Sequence, residues 1–211
     1  MKKRIRPIIL AGGVGRRLLP LSTKSNPKQF IPIFKDLSLF DLTLQRVNND
    51  LFKKPIVVTS KNYIDQVLKS MERTGIRSKL VILEPENKNT LAAITSATYL
   101  QLRTLDTESF LVLPSDHYIS NNRNFFVACK SALKELNKDN LVLFGIKPSY
   151  ASSDFGYIKS SKENPKEVES FIEKPNQITA KKLLRNKQVL WNSGIFMYRG
   201  SWYIKELGRI N

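Results

Sequence analysis

The sequence predicts an α/β fold built on a mostly parallel, mixed sheet flanked by helices. Three observations predict it. Short β-branched runs alternate with stretches of helical period. Each of the first five runs is continuously apolar, as strands covered on both faces are. The 211 residues are 41% hydrophobic and 25% charged, an ordinary composition for a globular chain long enough to bury a core.

Taken in order, residues 6–10 read as the first strand, with Pro7 near its start. Phe40, Thr43, Leu44, Val47 and Leu51 recur on one helical face. Residues 55–59 form a buried strand, and Ile64, Val67, Leu68 and Met71 give a second helical stripe. Residues 80–83 are a third strand. Leu91, Ile94, Leu102 and Leu105 mark the next helix, with Asn89 or Thr90 as its N-cap. A fourth strand at 110–113 precedes a helix whose face is Phe126, Cys129, Leu133 and Leu136, and a fifth strand covers 141–146. Beyond Gly145 the pattern changes. Strand-like pieces near 156–159, 168–172 and 194–198, with one helix at 179–185, predict a partly antiparallel extension of the sheet. A charged helical segment covers 201–209. No repeat, low-complexity tract or linker interrupts the chain, so a single domain over 1–211 is expected.

Composition narrows the function. No run of eighteen apolar residues exists, so no membrane helix is expected. The basic start at 1–7 is followed by a short apolar run that leads straight into glycines, which does not match a secretory signal. The lone Cys129 excludes an intrachain disulfide and points to a reducing cytoplasm. Thirty-five basic against 18 acidic residues leave a net charge of +17. The lysines are scattered, with no block of five basic residues. This reads first as a general surface bias, with small phosphorylated ligands as the alternative. No helix-turn-helix, zinc-finger or RNP-type signature supports a nucleic-acid partner.

Five motifs carry chemistry. Leu10-Ala11-Gly12-Gly13-Val14-Gly15-Arg16-Arg17-Leu18 follows the first strand directly. Ligands of open α/β sheets bind at the carboxyl ends of strands, where glycines let backbone amides approach phosphate and arginines add charge. A dinucleotide fingerprint is excluded, because Leu18 replaces its third glycine and Thr59 and Ser60 stand where its acid belongs; a P-loop lacks its Gly-Lys-Ser/Thr. Lys28, set by Pro27 in Asn26-Pro27-Lys28-Gln29-Phe30, can neutralise the same polyphosphate. Asp116, in Leu113-Pro114-Ser115-Asp116-His117 at the end of the fourth strand, is placed to hold Mg²⁺ between protein and phosphates; capping a helix is its alternative role. The only histidine, His117, is read as structural. Glu173 and Lys174, in Phe171-Ile172-Glu173-Lys174-Pro175, can take the hydroxyls and phosphate of a sugar phosphate. Asn192, in Trp191-Asn192-Ser193-Gly194-Ile195-Phe196, can add a hydroxyl contact, and Trp191 is read as packing.

In this order the five motifs resemble the bacterial-type mannose-1-phosphate guanylyltransferases, within the sugar-phosphate nucleotidyltransferases, over residues 5–200. Glu84-Pro85 with Asn89-Thr90, and Phe155-Gly156-Tyr157-Ile158, also look like segments of that family. The resemblance implies a Rossmann-like fold of the glycosyltransferase-A kind and the conversion of GTP and α-D-mannose 1-phosphate to GDP-mannose and pyrophosphate. It implies that Leu10, Ala11, Gly12, Gly13 and Gly15 border the nucleotide through backbone, and that Glu84, Asn89 and Thr90 face the guanine. By the same carry-over Arg17 and Lys28 grip the triphosphate and Asp116 holds Mg²⁺, the expected cofactor. Gly156, Glu173, Lys174 and Asn192 hold the mannose phosphate. Arg17, Lys28, Asp116 and Lys174 are then the catalytic set. The residue types suit such a displacement. The attacking phosphate oxygen is already anionic, so positioning and charge neutralisation lower the barrier without a general base.

The sequence departs from the family at several points. Arg16 stands where Thr is usual, Leu19 for Trp, Lys88 for Arg, and Leu91-Ala92 for Ala-Pro. The family's second metal-binding Asp, the rest of the catalytic domain, its β-helical tail and the isomerase domain of bifunctional members all lie downstream of residue 211. The resemblance therefore implies a domain incomplete at its C-terminal side, completed by a partner chain or a homo-oligomer if at all. Two rival readings follow: a nucleotidyltransferase for another nucleotide or hexose, and a non-catalytic nucleotide-sugar binder or regulatory subunit.

Overall fold

The computed structural model describes residues 4–13, 22–23, 25–85, 90–102, 108–136 and 140–209. Val14 to Leu19, Lys88, Asn89 and Leu105 lie outside them. The chain forms two compact units, residues 1–142 with 196–211, and residues 143–195.

In the first unit β1 (Ile5–Leu10) is flanked on one side by β4 (Ile56–Ser60) and β5 (Leu80–Glu84), and on the other by β6 (Ser109–Pro114), all parallel. The last four residues of β10 (Val189–Arg199) close this order, antiparallel to β6. The expected α/β class and mostly parallel sheet are thus present. A small hairpin, β2 (Pro32–Phe34) and β3 (Leu37–Ser38), was not expected. Its turn holds Lys35 and Asp36 at positive φ without a glycine to signal it.

The apolar runs behave as strands covered on both faces. Ile8, Ile56, Val58, Phe110, Val112 and Tyr198 pack on Ala93, Ile94 and Ala97 of α3 (Thr90–Leu102). The alternate residues Ile9, Val57, Leu111 and Leu113 face the other way and are buried too. Each such side chain contributes about 1.5–3 kcal/mol of burial. Two runs depart from this reading. β5 is an edge strand with Leu80 and Leu83 exposed, and β7 (Val142–Ile146) is half-buried to exposed. Contact with a single neighbouring strand, not composition, decides this.

The helices also correct the pattern in places. α1 (Leu39–Arg46) buries Phe40, Thr43 and Leu44 as expected but ends before Leu51. Its start is a capping box in which Ser38 Oγ accepts from the Asp41 amide and the Asp41 carboxylate accepts from the Ser38 amide. α2 (Ile64–Thr74) ends at Gly75, whose φ of 67° only glycine adopts freely. Leu68 of α2 and Leu91 of α3 are exposed rather than buried. In α4 (Asn122–Glu135) the inward aromatic is Phe125, not Phe126, and Asn121 rather than Asp116 caps the helix. α6 (Gly200–Leu207) packs against α3, and Gly200 sits where a Cβ would meet Phe110 and Leu102.

The second unit contains β8 (Tyr157–Ser160), antiparallel both to β9 (Val168–Ile172) and to Val189–Trp191 of β10, with β7 also on β10. Its core joins Tyr157, Val189 and Trp191 to Ala180 of α5 (Gln177–Leu184). The antiparallel extension expected after Gly145 is therefore present, with β10 much longer than the 194–198 segment read from sequence.

Candidate functional site

β1 delivers the glycine-rich turn to the carboxyl end of the first unit's strands. The Leu10 carbonyl accepts from the Ser115 amide (3.1 Å), and the Ala11 amide donates to the Val58 carbonyl (2.8 Å). The turn's carbonyls are then tied back. Gln29 Nε2 donates to the carbonyls of Ala11 (3.1 Å) and Gly13 (2.8 Å), and Thr59 Oγ1 donates to Ala11 as well (3.1 Å). A Cβ on Gly13 would meet nothing within 4 Å.

Lys28 and Gln29 sit on one short 3₁₀ turn, Lys28–Phe30, entered through the extended Pro27. Phe30 anchors it against Phe40 and Tyr63, with ring centroids 5.3 and 6.2 Å away. With Phe30 and Gln29 buried, Lys28 projects to the half-exposed side. Its ammonium reaches Asp116 Oδ2 at 3.5 Å. Asp116 lies in the turn after β6, fixed by the adjacent Ser115 amide on β1. Two motifs 88 residues apart thus converge within the first unit.

His117 Nε2 lies 3.8 Å from Asp116 Oδ1. Burial holds its pKa below the ordinary 6.5, with Lys28 and Arg46 pushing the same way and Asp116 opposing. The imidazole is therefore neutral at pH 7, and the cation beside Asp116 is Lys28. Glu84 ends β5 opposite Ser60 of β4, and burial raises its pKa. Thr90 is the first residue of α3 and is exposed. Gly15, Arg17 and Asn89 fall outside the described residues, as do Arg16, Leu19 and Lys88.

In the second unit Gly156, Glu173 and Asn192 come together. The Asn192 amide donates to the Gly156 carbonyl (2.7 Å), and a Cβ on Gly156 would stand 2.8 Å from Glu173 Oε2. Glycine at 156 is thus what lets the carboxylate approach the backbone. Lys174 holds φ at 39°, a left-handed conformation that costs a non-glycine residue about 1–3 kcal/mol, and its ammonium lies 3.5 Å from Glu173 Oε1. Asn192 Oδ1 accepts from the Gly194 amide (3.1 Å). Trp191 packs between Tyr150 and Phe155, as expected for a core residue.

Gln29 and Thr59 are the parts that sequence reasoning missed. Gln29 stood inside a motif already singled out, but nothing in its spacing shows that its amide turns inward. Among the described residues, no three His, Cys, Asp or Glu side chains gather as a ready-made metal site. Asp116 alone fits a hard cation that draws its other ligands from water and phosphate, the usual habit of Mg²⁺. No helix among the described residues is long and apolar enough to cross a membrane.

Comparison with known proteins agrees with this fold. Residues 6–211 match the nucleotidyl transferase family. The alginate biosynthesis protein AlgA of Pseudomonas aeruginosa is 36% identical over 206 residues, covering 95% of this chain and 43% of that protein. A mannose-1-phosphate guanylyltransferase of Salmonella muenchen is 34% identical, covering 95% of this chain and 44% of its own length. The chain thus spans less than half the length of these curated relatives. A solved structure described as a mannose-1-phosphate geranyltransferase of Thermus thermophilus superposes with a TM-score of 0.83 at 27% identity, over 96% of this chain and 59% of that one. With the family matched from the first strand to the last helix, this chain belongs to the nucleotidyl transferases.

Proposed function

We propose that this chain provides the substrate-binding machinery for transferring a guanylyl group from GTP to α-D-mannose 1-phosphate, releasing pyrophosphate. The observation that carries the reading is the Lys28–Asp116 pair beside a glycine turn whose carbonyls are held by Gln29 and Thr59. Relatives named as mannose-1-phosphate guanylyltransferases support the choice of nucleotide and sugar.

In this reading a phosphate oxygen of mannose 1-phosphate bonds to the α-phosphorus of GTP, and the bond from that phosphorus to the bridging β-oxygen breaks. The electron pair leaves with pyrophosphate. Lys28 and Arg17 neutralise the triphosphate. Leu10, Ala11, Gly12, Gly13 and Gly15 offer it backbone. Glu84, Asn89 and Thr90 address the base. Asp116 would hold Mg²⁺, which when bound supplies charge for the phosphoryl oxygens. Glu173 and Asn192 take sugar hydroxyls, Gly156 leaves them room, and Lys174 meets the sugar's phosphate. Neutral His117 moves no proton in this scheme.

The test incubates the purified chain with Mg²⁺, GTP and mannose 1-phosphate and measures pyrophosphate. Turnover that Asp116→Ala lowers on the order of 10²–10³-fold is the expected result. Turnover only with another nucleotide or hexose overturns the assigned substrates, and binding of both substrates without turnover overturns the assigned catalysis.

A further inference from the structure

At the amino ends of the first unit's parallel strands lies a cavity of about 370 Å³. Arg4, Lys53, Lys54 and Arg77 line it with Asn48 and Asn49, and no acidic residue does. It lies the length of β1 from the glycine-rich turn, six residues or roughly 17–20 Å. Its size falls among small-molecule sites, and Phe52 and Ile76 give it an apolar floor.

The four cations are not equally committed. Lys53 donates to the buried Glu108 at 2.6 Å. Arg4 reaches Asp50 at 3.5 Å, but that carboxylate is fully exposed, and such a pair is worth little. The Lys54 and Arg77 side chains have no hydrogen-bond or carboxylate partner among the described residues. The C-termini of α1 and α2 point to this end and favour cations nearby. Each helix already carries its own arginine in the last turn, Arg46 and Arg73, and the Gly75 amide donates back to Glu72. The cavity cations are additional to these.

We propose that this cavity binds a small phosphorylated molecule, its phosphoryl group on Arg4, Lys54 and Arg77 and its body over the apolar floor, apart from the glycine-rich turn. A dianionic or more highly charged group relieves the repulsion among these cations and gains charge-assisted hydrogen bonds.

Inorganic tripolyphosphate, titrated calorimetrically into the full chain, tests this. Lys28→Ala serves as background, so that the glycine-rich turn contributes less. Saturable one-to-one binding that weakens with added salt is expected to remain. Adding Lys54→Ala and Arg77→Ala should weaken it about tenfold or more. Both residues are exposed, so unchanged melting is expected and is measured alongside. Lys181→Ala with Lys182→Ala, an exposed pair on α5, should leave the affinity unchanged. Loss of all saturable binding with Lys28→Ala alone overturns the proposal. So does an affinity indifferent to Lys54 and Arg77, or an equal loss from Lys181 and Lys182.

Discussion

Two ion-paired clusters at opposite ends of the first unit's parallel strands use charge in opposite ways. At the amino ends, Glu108 is fully buried and its Oε1 accepts from Arg6 (3.1 and 3.3 Å) and Lys53 (2.6 Å). Arg6 also donates to the Lys54 carbonyl at 2.6 Å, tying β1 to the approach of β4. At the carboxyl ends, Lys28 and Asp116 meet at 3.5 Å with side chains 30% and 42% open to solvent. A desolvated network is costly to break, because what remains is an unpaired buried charge. A half-exposed pair costs the fold little and stays available to a ligand. The Glu108 cluster therefore serves the fold, whereas the Lys28–Asp116 pair stays open to a ligand.

The strongest test of that contrast is Glu108→Ala. It strands Arg6 and Lys53 and should destabilise the fold by about 3–5 kcal/mol in urea titration; a loss under 1 kcal/mol would break the comparison. Asp116→Ala should do the reverse. Stability should stay within about 0.5 kcal/mol while the proposed turnover falls on the order of 10²–10³-fold, read by pyrophosphate release beside a melting curve.

Gln29→Ala sharpens the comparison, because Gln29 is buried yet lies at the carboxyl end. The Gly13 carbonyl loses the Gln29 amide and the Ala11 carbonyl keeps only Thr59, so about 1–3 kcal/mol of stability should go, with KM for GTP in the proposed reaction rising more than kcat falls. A change in stability alone would make Gln29 a part of the fold only.

The smallest effect concerns pH. Burial lowers the pKa of His117 in the fold, while the unfolded chain titrates near 6.5. The unfolded state therefore binds more protons between those values. The stability this group contributes is complete above pH 6.5 and is lost as pH falls through the lowered folded value. His117→Gln should flatten the decline in stability between pH 7.5 and 5, followed by urea midpoints.

Much of this was legible beforehand. The runs around Ile8, Val57 and Val112 announced covered strands because β-branched residues without polar alternation fit little else. The motifs around Lys28 and Asp116 could be singled out, though not the 3.5 Å contact between them. The faces of helices were less legible. Phe125 and Phe126 are adjacent, and a periodicity cannot choose between two neighbouring phenylalanines; only what packs against them does. Leu68 and Leu91 continue an apolar stripe past the point where a neighbour exists to cover it. The β2–β3 hairpin was hidden because its turn uses Lys35 and Asp36 at positive φ rather than Asn-Gly.

By itself, then, the order of residues determined the alternation of strand and helix and the family, since these depend on local pattern and residue type. Tertiary structure alone decided which strand became an edge, which carbonyls Gln29 holds, and that Lys28 and Asp116 meet. It also decided that Arg4, Lys53, Lys54 and Arg77 share one cavity. Those outcomes rest on contacts between distant segments, and sequence spacing carries no measure of distance through space.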